Sequence, residues 1–135
     1  MSEFSDEDVK ALLTAAKDTS ANAHAPYSRY RVGAVIQARD GRVFSGCNVE
    51  NASYGLTVCA ERVAVFLAVA GKCRDFVAAG VVSTSATVPF PCGACRQVLA
   101  EFCSADFSIF VAAEDNLEAY QALTLGELLP NAFSM

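Results

Sequence analysis

Residues 76–113 read FVAAGVVSTSATVPFPCGACRQVLAEFCSADFSIFVAA, and this stretch decides the fold. The apolar runs at 76–83 and 107–113 have the length and composition of strands buried on both faces. Between them, residues 93–103 place Val98, Leu99 and Phe102 at helical spacing, behind a turn at residues 89–92. Strand, helix, strand in this order predicts parallel neighbours with a helix packed across them. Working toward the N-terminus, Val63, Phe66, Leu67 and Ala70 follow helical spacing after Cys59-Ala60-Glu61-Arg62, and Gly71 stops that helix. Before it, residues 30–38 and 43–47 flank an Asp40-Gly41 turn and predict an antiparallel pair. A first helix, capped by Ser5 with acidic residues in its first turn, carries Val9, Leu12, Leu13 and Ala16 on one face. It should end near residue 21, because Pro26 disfavours helix at Ala25. Toward the C-terminus, only residues 114–118 separate the fourth strand from the short apolar segment 119–123. That is too short for a helical crossover, so the fifth strand should be antiparallel to the fourth. Thr124 then caps a last short helix that Pro130 ends. The expectation is one α/β domain over residues 1–135: a five-stranded mixed sheet, helices on both faces, and an antiparallel fifth strand.

Composition narrows the function classes. Hydrophobic residues make up 53% of the 135, yet no charge-free run approaches the ~18–20 residues that span a bilayer, so no membrane insertion is expected. Residues 1–8 are acidic and lack the basic start and apolar core of a secretory signal, which makes the cytoplasm the expected compartment. A net charge of −5 and no visible basic patch oppose binding to nucleic acid. The apolar fraction is high for a domain of this size, which suggests surface covered by other subunits. Six cysteines against one histidine, in a reducing compartment, ask for a role other than disulfides.

Three of those cysteines stand at helix starts: Cys59 at the second helix, Cys92 and Cys95 at the third. Cys59-Ala60-Glu61 followed by Pro91-Cys92-Gly93-Ala94-Cys95 follows the zinc-deaminase signature, with cysteine as the first ligand. Two helix N-termini aimed at one metal favour the thiolate form of each cysteine. Three thiolates on Zn²⁺ leave a tetrahedral position for water, as in a catalytic site. Glu61 would lie beside that water without ligating the metal and act as the proton shuttle. Three thiolates also overneutralise the ion and weaken it as a Lewis acid. Arg62, with its guanidinium near Cys59 and Cys92, would draw density from the sulfurs and restore the acidity of the water.

With these residues in place, the sequence resembles the small, homotetrameric, zinc-dependent cytidine deaminases. The similarity runs from Ala25-Pro26-Tyr27-Ser28 through Gly46-Cys47-Asn48-Val49-Glu50-Asn51-Ala52 and Cys59-Ala60-Glu61-Arg62 to Pro91-Cys92-Gly93-Ala94-Cys95-Arg96-Gln97-Val98 and Glu127-Leu128-Leu129-Pro130. The resemblance implies hydrolysis of cytidine and 2′-deoxycytidine to uridine and 2′-deoxyuridine with release of ammonia, in pyrimidine salvage. It implies that Asn48 and Glu50 bind the ribose, that Ala60 belongs to the substrate contacts, and that Phe133 reaches a neighbouring subunit's pocket in a homotetramer. Tyr30 stands where the family usually has phenylalanine against the pyrimidine ring. A carboxylate at Glu50 close to the sugar would repel a phosphate, so nucleosides rather than nucleotides are expected.

Rival readings are a deaminase of an aminopyrimidine antibiotic or modified cytosine, a structural zinc protein with a relict site, and a nucleic-acid editor. His24 is expected to cap carbonyls at the end of the first helix rather than bind metal. Cys47, Cys73 and Cys103 read as ordinary small thiols.

Overall fold

Ser5 opens the first helix with the expected capping box. Its hydroxyl accepts the Asp8 N–H at 3.1 Å, and the Asp8 carboxylate accepts the Ser5 N–H at 3.0 Å. The computed structural model describes residues 4–135; residues 1–3 of the acidic N-terminal stretch lie outside it. Helix α1 (Asp6–Ser20) is followed by strands β1 (Val32–Ala38) and β2 (Val43–Cys47), helix α2 (Ala60–Ala70) and strand β3 (Phe76–Ser83). Helix α3 (Gly93–Phe102), strands β4 (Ser108–Ala113) and β5 (Gln121–Thr124), and a four-residue helix α4 (Leu125–Leu128) complete the order.

The five strands form one sheet in the order β2-β1-β3-β4-β5. β3 and β4 are parallel, as the quoted segment requires, and β5 runs antiparallel to β4. The expectation of parallel neighbours holds for that single pair. β1 pairs antiparallel with both β2 and β3, so it sits between two strands that α2 connects. The crossover through α2 therefore spans β1, because the tight 38–43 turn forces β1 and β2 together first. β5 begins at Gln121 rather than at 119, since Leu117–Ala119 forms a 3₁₀ turn.

Helices cover both faces. α1 packs Val9, Leu12, Leu13 and Ala16 against Val35, Ala78, Val82 and Phe110. The other face packs Ala60, Ala64, Val65 and Ala68 of α2 and Leu99 of α3 on Ile36, Val81, Ile109 and Val111. Each such fully buried large side chain contributes about 1.5–3 kcal/mol relative to exposure.

Two glycines set how closely the helices approach. A Cβ on Gly33 would lie 1.8 Å from the Ala16 carbonyl oxygen of α1. A Cβ on Gly46 would lie 2.5 Å from the Ala64 nitrogen and 2.6 Å from the Ala60 oxygen of α2. Backbone-to-backbone contact at Gly46 seats α2 directly on β2 and thereby fixes where its first residues stand.

His24 departs from its expected role. α1 ends at Ser20, and His24 lies beyond it, where its backbone N–H donates to Asn48 O at 3.0 Å and its carbonyl accepts from Glu50 N at 2.8 Å. It joins the loop before β1 to the segment after β2.

Candidate metal centre and active site

α2 and α3 start side by side at the Ser83 end of the sheet, each with a cysteine as its N-cap. Cys59 (φ −72, ψ 155) and Cys92 (φ −69, ψ 168) have the extended backbone of a capping residue, but neither sulfur makes a cap hydrogen bond. The sulfurs face one another instead. Cys59 Sγ lies 3.7 Å from Cys92 Sγ, and Cys92 Sγ lies 3.6 Å from Cys95 Sγ. All three sulfurs fall within 4.8 Å of one another.

This arrangement fits zinc. Zn–S bonds of about 2.3 Å at tetrahedral angles put sulfurs about 3.8 Å apart, and an all-thiolate set suits this borderline-soft ion. The three cysteines are graded in exposure: Cys95 buried, Cys59 half-buried, Cys92 open to solvent.

The charges agree with a site for a cation. The Cys95 thiol close by, with the hydrogen bonds from Arg62 and Cys92, brings the pKa of Cys59 down to about 5. Cys95, holding the shared proton against Cys59 and buried as well, is pushed up instead. Arg62 Nη2 donates to Cys59 Sγ at 3.5 Å, and that bond raises the guanidinium pKa still further. Arg62 Nε is buried and has no hydrogen-bond partner among the described residues. Glu61 is 8% exposed. Burial, with the Cys59 charge beside it, pushes its carboxyl up to about 7. A carboxyl poised there both takes and returns a proton near neutral pH.

Of the other sequence-predicted residues, Tyr30 precedes β1, Asn48 and Glu50 lie between β2 and α2, Ala60 opens α2 and Phe133 follows α4. Ala60 is fully buried behind Cys59, and Tyr30 packs, half-buried, on the core cluster that includes Ala60 and Val32. Asn48, 7% exposed, fastens the entry to β1: its Oδ1 accepts the Val32 N–H at 2.8 Å and its Nδ2 donates to the Tyr30 carbonyl at 2.7 Å. These two bonds use one of the two amide hydrogens of Asn48. Glu50 Oε1 accepts the N–H groups of Tyr27 at 3.0 Å and Ser28 at 3.2 Å, and Oε2 accepts the Ser28 hydroxyl. Those bonds, the Ser28 hydroxyl first, lower the pKa of Glu50 and keep it ionised. Phe133 stands apart, 69% exposed, with its carbonyl held by Gln97 Nε2 at 3.1 Å.

Ser28, Arg96 and Gln97 appear in the quoted motifs, but residue types alone assign them no role. The available signal was the position of Arg96 one residue past Cys95, in the first turn of α3.

A mixed sheet that brings two helix N-termini, three thiols and a buried carboxyl to one point defines the class, a zinc-binding hydrolase on an α/β scaffold. A family profile described as "Cytidine and deoxycytidylate deaminase zinc-binding region" matches residues 6–111. A cytidine deaminase from Halalkalibacterium halodurans is 49% identical over 129 residues, covering 94% of this chain and 95% of that one. The crystal structure of cytidine deaminase from Burkholderia pseudomallei has a TM-score of 0.86 at 45% identity, covering 91% of this chain and 97% of that chain. A blasticidin-S deaminase from Bacillus cereus is 32% identical over 111 residues, 76% of each chain. The chain belongs to the cytidine and deoxycytidylate deaminase family defined by this zinc-binding region.

Proposed function

We propose that this chain, acting as a single domain, hydrolyses cytidine and 2′-deoxycytidine to uridine and 2′-deoxyuridine with release of ammonia, in pyrimidine salvage. The observation that carries this reading is the buried Glu61 beside three thiols that converge from two helix N-termini. Cys59, Cys92 and Cys95 hold the zinc, which when bound supplies the Lewis acidity that makes water a nucleophile at neutral pH. Glu61 takes the proton that the attacking water loses at C4. It delivers that proton to N3, and a second to the departing amino group. The oxygen of water becomes the new ring carbonyl, one of its hydrogens stays on N3, and the other leaves in ammonia. Arg62 draws charge from Cys59 through its hydrogen bond.

Asn48 and Glu50 take the ribose hydroxyls, and Tyr30 and Ala60 border the base. Ser28 and the amides of Tyr27 and Ser28 keep Glu50 charged, which disfavours a phosphate at the sugar and selects nucleosides over nucleotides. The nucleoside is also favoured over an aminopyrimidine antibiotic, since the blasticidin-S deaminase is the more distant of the relatives compared.

The site is open on the Cys92 side, and Tyr54, Leu56, Phe66, Leu67, Phe90 and Phe133 are large apolar residues left exposed. These features support a homotetramer in which Phe133 of one copy completes the pocket of another. No helix among the described residues is long and apolar enough to cross a membrane. Cys47, Cys73 and Cys103, free thiols outside the metal cluster, support a reducing, cytoplasmic setting.

The test follows the ultraviolet change of cytidine with zinc-loaded protein, beside Glu61→Gln. The substitution should lower kcat by about 10²–10⁴-fold, and a wild type no faster than Glu61→Gln ends the reading. Sedimentation tests the assembly, and a fully active monomer would remove Phe133 from the site.

A further inference from the structure

Arg96 and Gln97 remain once the cysteines and Glu61 have been placed. Arg96 follows Cys95 directly, and its guanidinium bonds in two directions. Nε donates to the carbonyl of Pro91, the residue before Cys92, at 2.7 Å, and Nη1 donates to the carbonyl of Leu128 at 2.7 Å. Gln97 Nε2 reaches the Phe133 carbonyl at 3.1 Å. Two consecutive side chains in the metal-binding turn of α3 thus hold two points of the C-terminal segment.

That segment needs an outside anchor. α4 has four residues, far below the length at which a helix is stable alone. Its start is fixed by the buried Leu125 and by the bonds from Leu125 N to Phe107 O at 3.0 Å and from Gly126 N to Ala105 O at 2.8 Å. At its end, where Leu128 and Leu129 pack half-buried on the core, the Leu128 carbonyl is an orphan of the helix terminus, and Arg96 takes it.

We propose that Arg96 and Gln97 are positioning residues that latch the C-terminal segment onto the metal-binding turn, coupling zinc retention by Cys92 and Cys95 to the placement of Phe133. The part concerning Phe133 rests on the function proposed above; the part concerning zinc rests on the cysteine cluster alone. The guanidinium suits this work because its donors are fixed in one plane and address two carbonyls at once, with the strength of charge-assisted bonds. A lysine keeps the charge and loses the bridge. Freeing the Pro91 carbonyl loosens the turn that aims Cys92, and freeing the Leu128 carbonyl loosens the tail. Because the two ends share one group, the coupling is reciprocal.

The experiment compares full-length, zinc-loaded wild type with Arg96→Lys and Gln97→Ala by zinc transfer to a chromogenic chelator and by hydrogen exchange of residues 125–135. Arg96→Lys should release zinc about tenfold to a hundredfold faster, the range for loss of an outer partner of a metal ligand, and its 125–135 amides should exchange about tenfold faster. Gln97→Ala should leave zinc release unchanged, loosen the tail beyond Leu129, and raise KM for cytidine at constant kcat. If Arg96→Lys does not fold, wild type stripped of zinc provides the same test. Its 125–135 amides should lose protection while those of β1 and β3 keep theirs. Equal zinc release by a folded Arg96→Lys, or unchanged exchange in the stripped wild type, overturns the proposal. A protein that shows these changes but leaves cytidine untouched keeps the latch and loses the proposed function.

Discussion

Helices α1 and α3 begin with nearly the same backbone and opposite chemistry. Ser5 (φ −73, ψ 166) and Cys92 (φ −69, ψ 168) are both extended N-caps. At α1, side-chain oxygens of Ser5 and Asp8 close the helix end, as Thr124 and Glu127 do at α4. At α3, and equally at α2, the cap is a cysteine whose sulfur turns away from its own helix toward the other. The closed ends have spent their polar groups on stability. The open ends leave amide dipoles aimed at a shared point, which favours thiolates and hence a cation. The metal centre is thus made from two helix starts whose usual caps have been replaced.

The sharpest way to break this comparison is to restore the usual cap. Serine is a far better N-cap than most residues, so Cys92→Ser should hold or raise the thermal stability of the metal-free protein. It should also remove zinc and lower kcat/KM by more than the about 100-fold that loss of a ligand's outer partner reaches. Parallel loss of metal-free stability and activity would mean that Cys92 serves packing as well as the metal.

Arg62 tests the charge side of the open ends. Arg62→Gln keeps a hydrogen-bond donor near Cys59 but removes the charge, and kcat should fall about 10- to 100-fold with the protein still folded. A change in KM alone would instead place Arg62 in substrate binding.

Cys59 offers a test by pH. In the metal-free protein its pKa is about 5, below the ordinary thiol value of 9.0, so it is a thiolate above about 5 and reprotonates as pH falls through that point. The ionised thiol therefore stabilises the metal-free fold fully above the ordinary value, and that contribution is lost as pH falls through about 5. At about pH 6 an ordinary thiol is almost wholly protonated; allowing for the weaker nucleophilicity of a low-pKa thiolate, Cys59 should alkylate about tenfold faster. Peptide mapping after iodoacetamide treatment reads this directly. Reactivity that rises only near the ordinary value would show that the neighbouring thiol and guanidinium do not act on Cys59.

Much of this was legible in the sequence because the site is local in sequence. Cys59-Ala60-Glu61-Arg62 lies within one helix turn, and Cys92 and Cys95 in another, so spacing and helix starts suffice to pair them. The β3-α3-β4 unit was legible for the same reason. The place of β1 was not, because which strand lies between β2 and β3 depends on pairing across the sheet rather than on local pattern. Asn48 and Glu50 entered only through the family resemblance, as expected ribose contacts. Their bonds to Tyr30, Val32, Tyr27 and Ser28 join segments far apart in the chain and appear only in the fold. Arg96 was hidden for that reason too, since its second acceptor lies 32 residues away.

The smallest expected effect falls on the closed end. Ser5→Ala removes the hydroxyl that accepts the Asp8 N–H, and should cost about 1 kcal/mol, near the typical value for such a cap. That is about a fivefold change in the folded-to-unfolded ratio, seen as a fall of a few degrees in Tm. Zinc content and kcat/KM should stay at wild-type values, because α1 packs on the sheet face opposite α2 and α3. The strands between the faces offer a route, most directly β1, where Gly33 abuts α1 while Val32 and Ile36 pack with α2. A Ser5→Ala protein that lost zinc as well as stability would show that movement of α1 is transmitted through the sheet to the cysteines. The two kinds of helix start would then be coupled rather than separate devices.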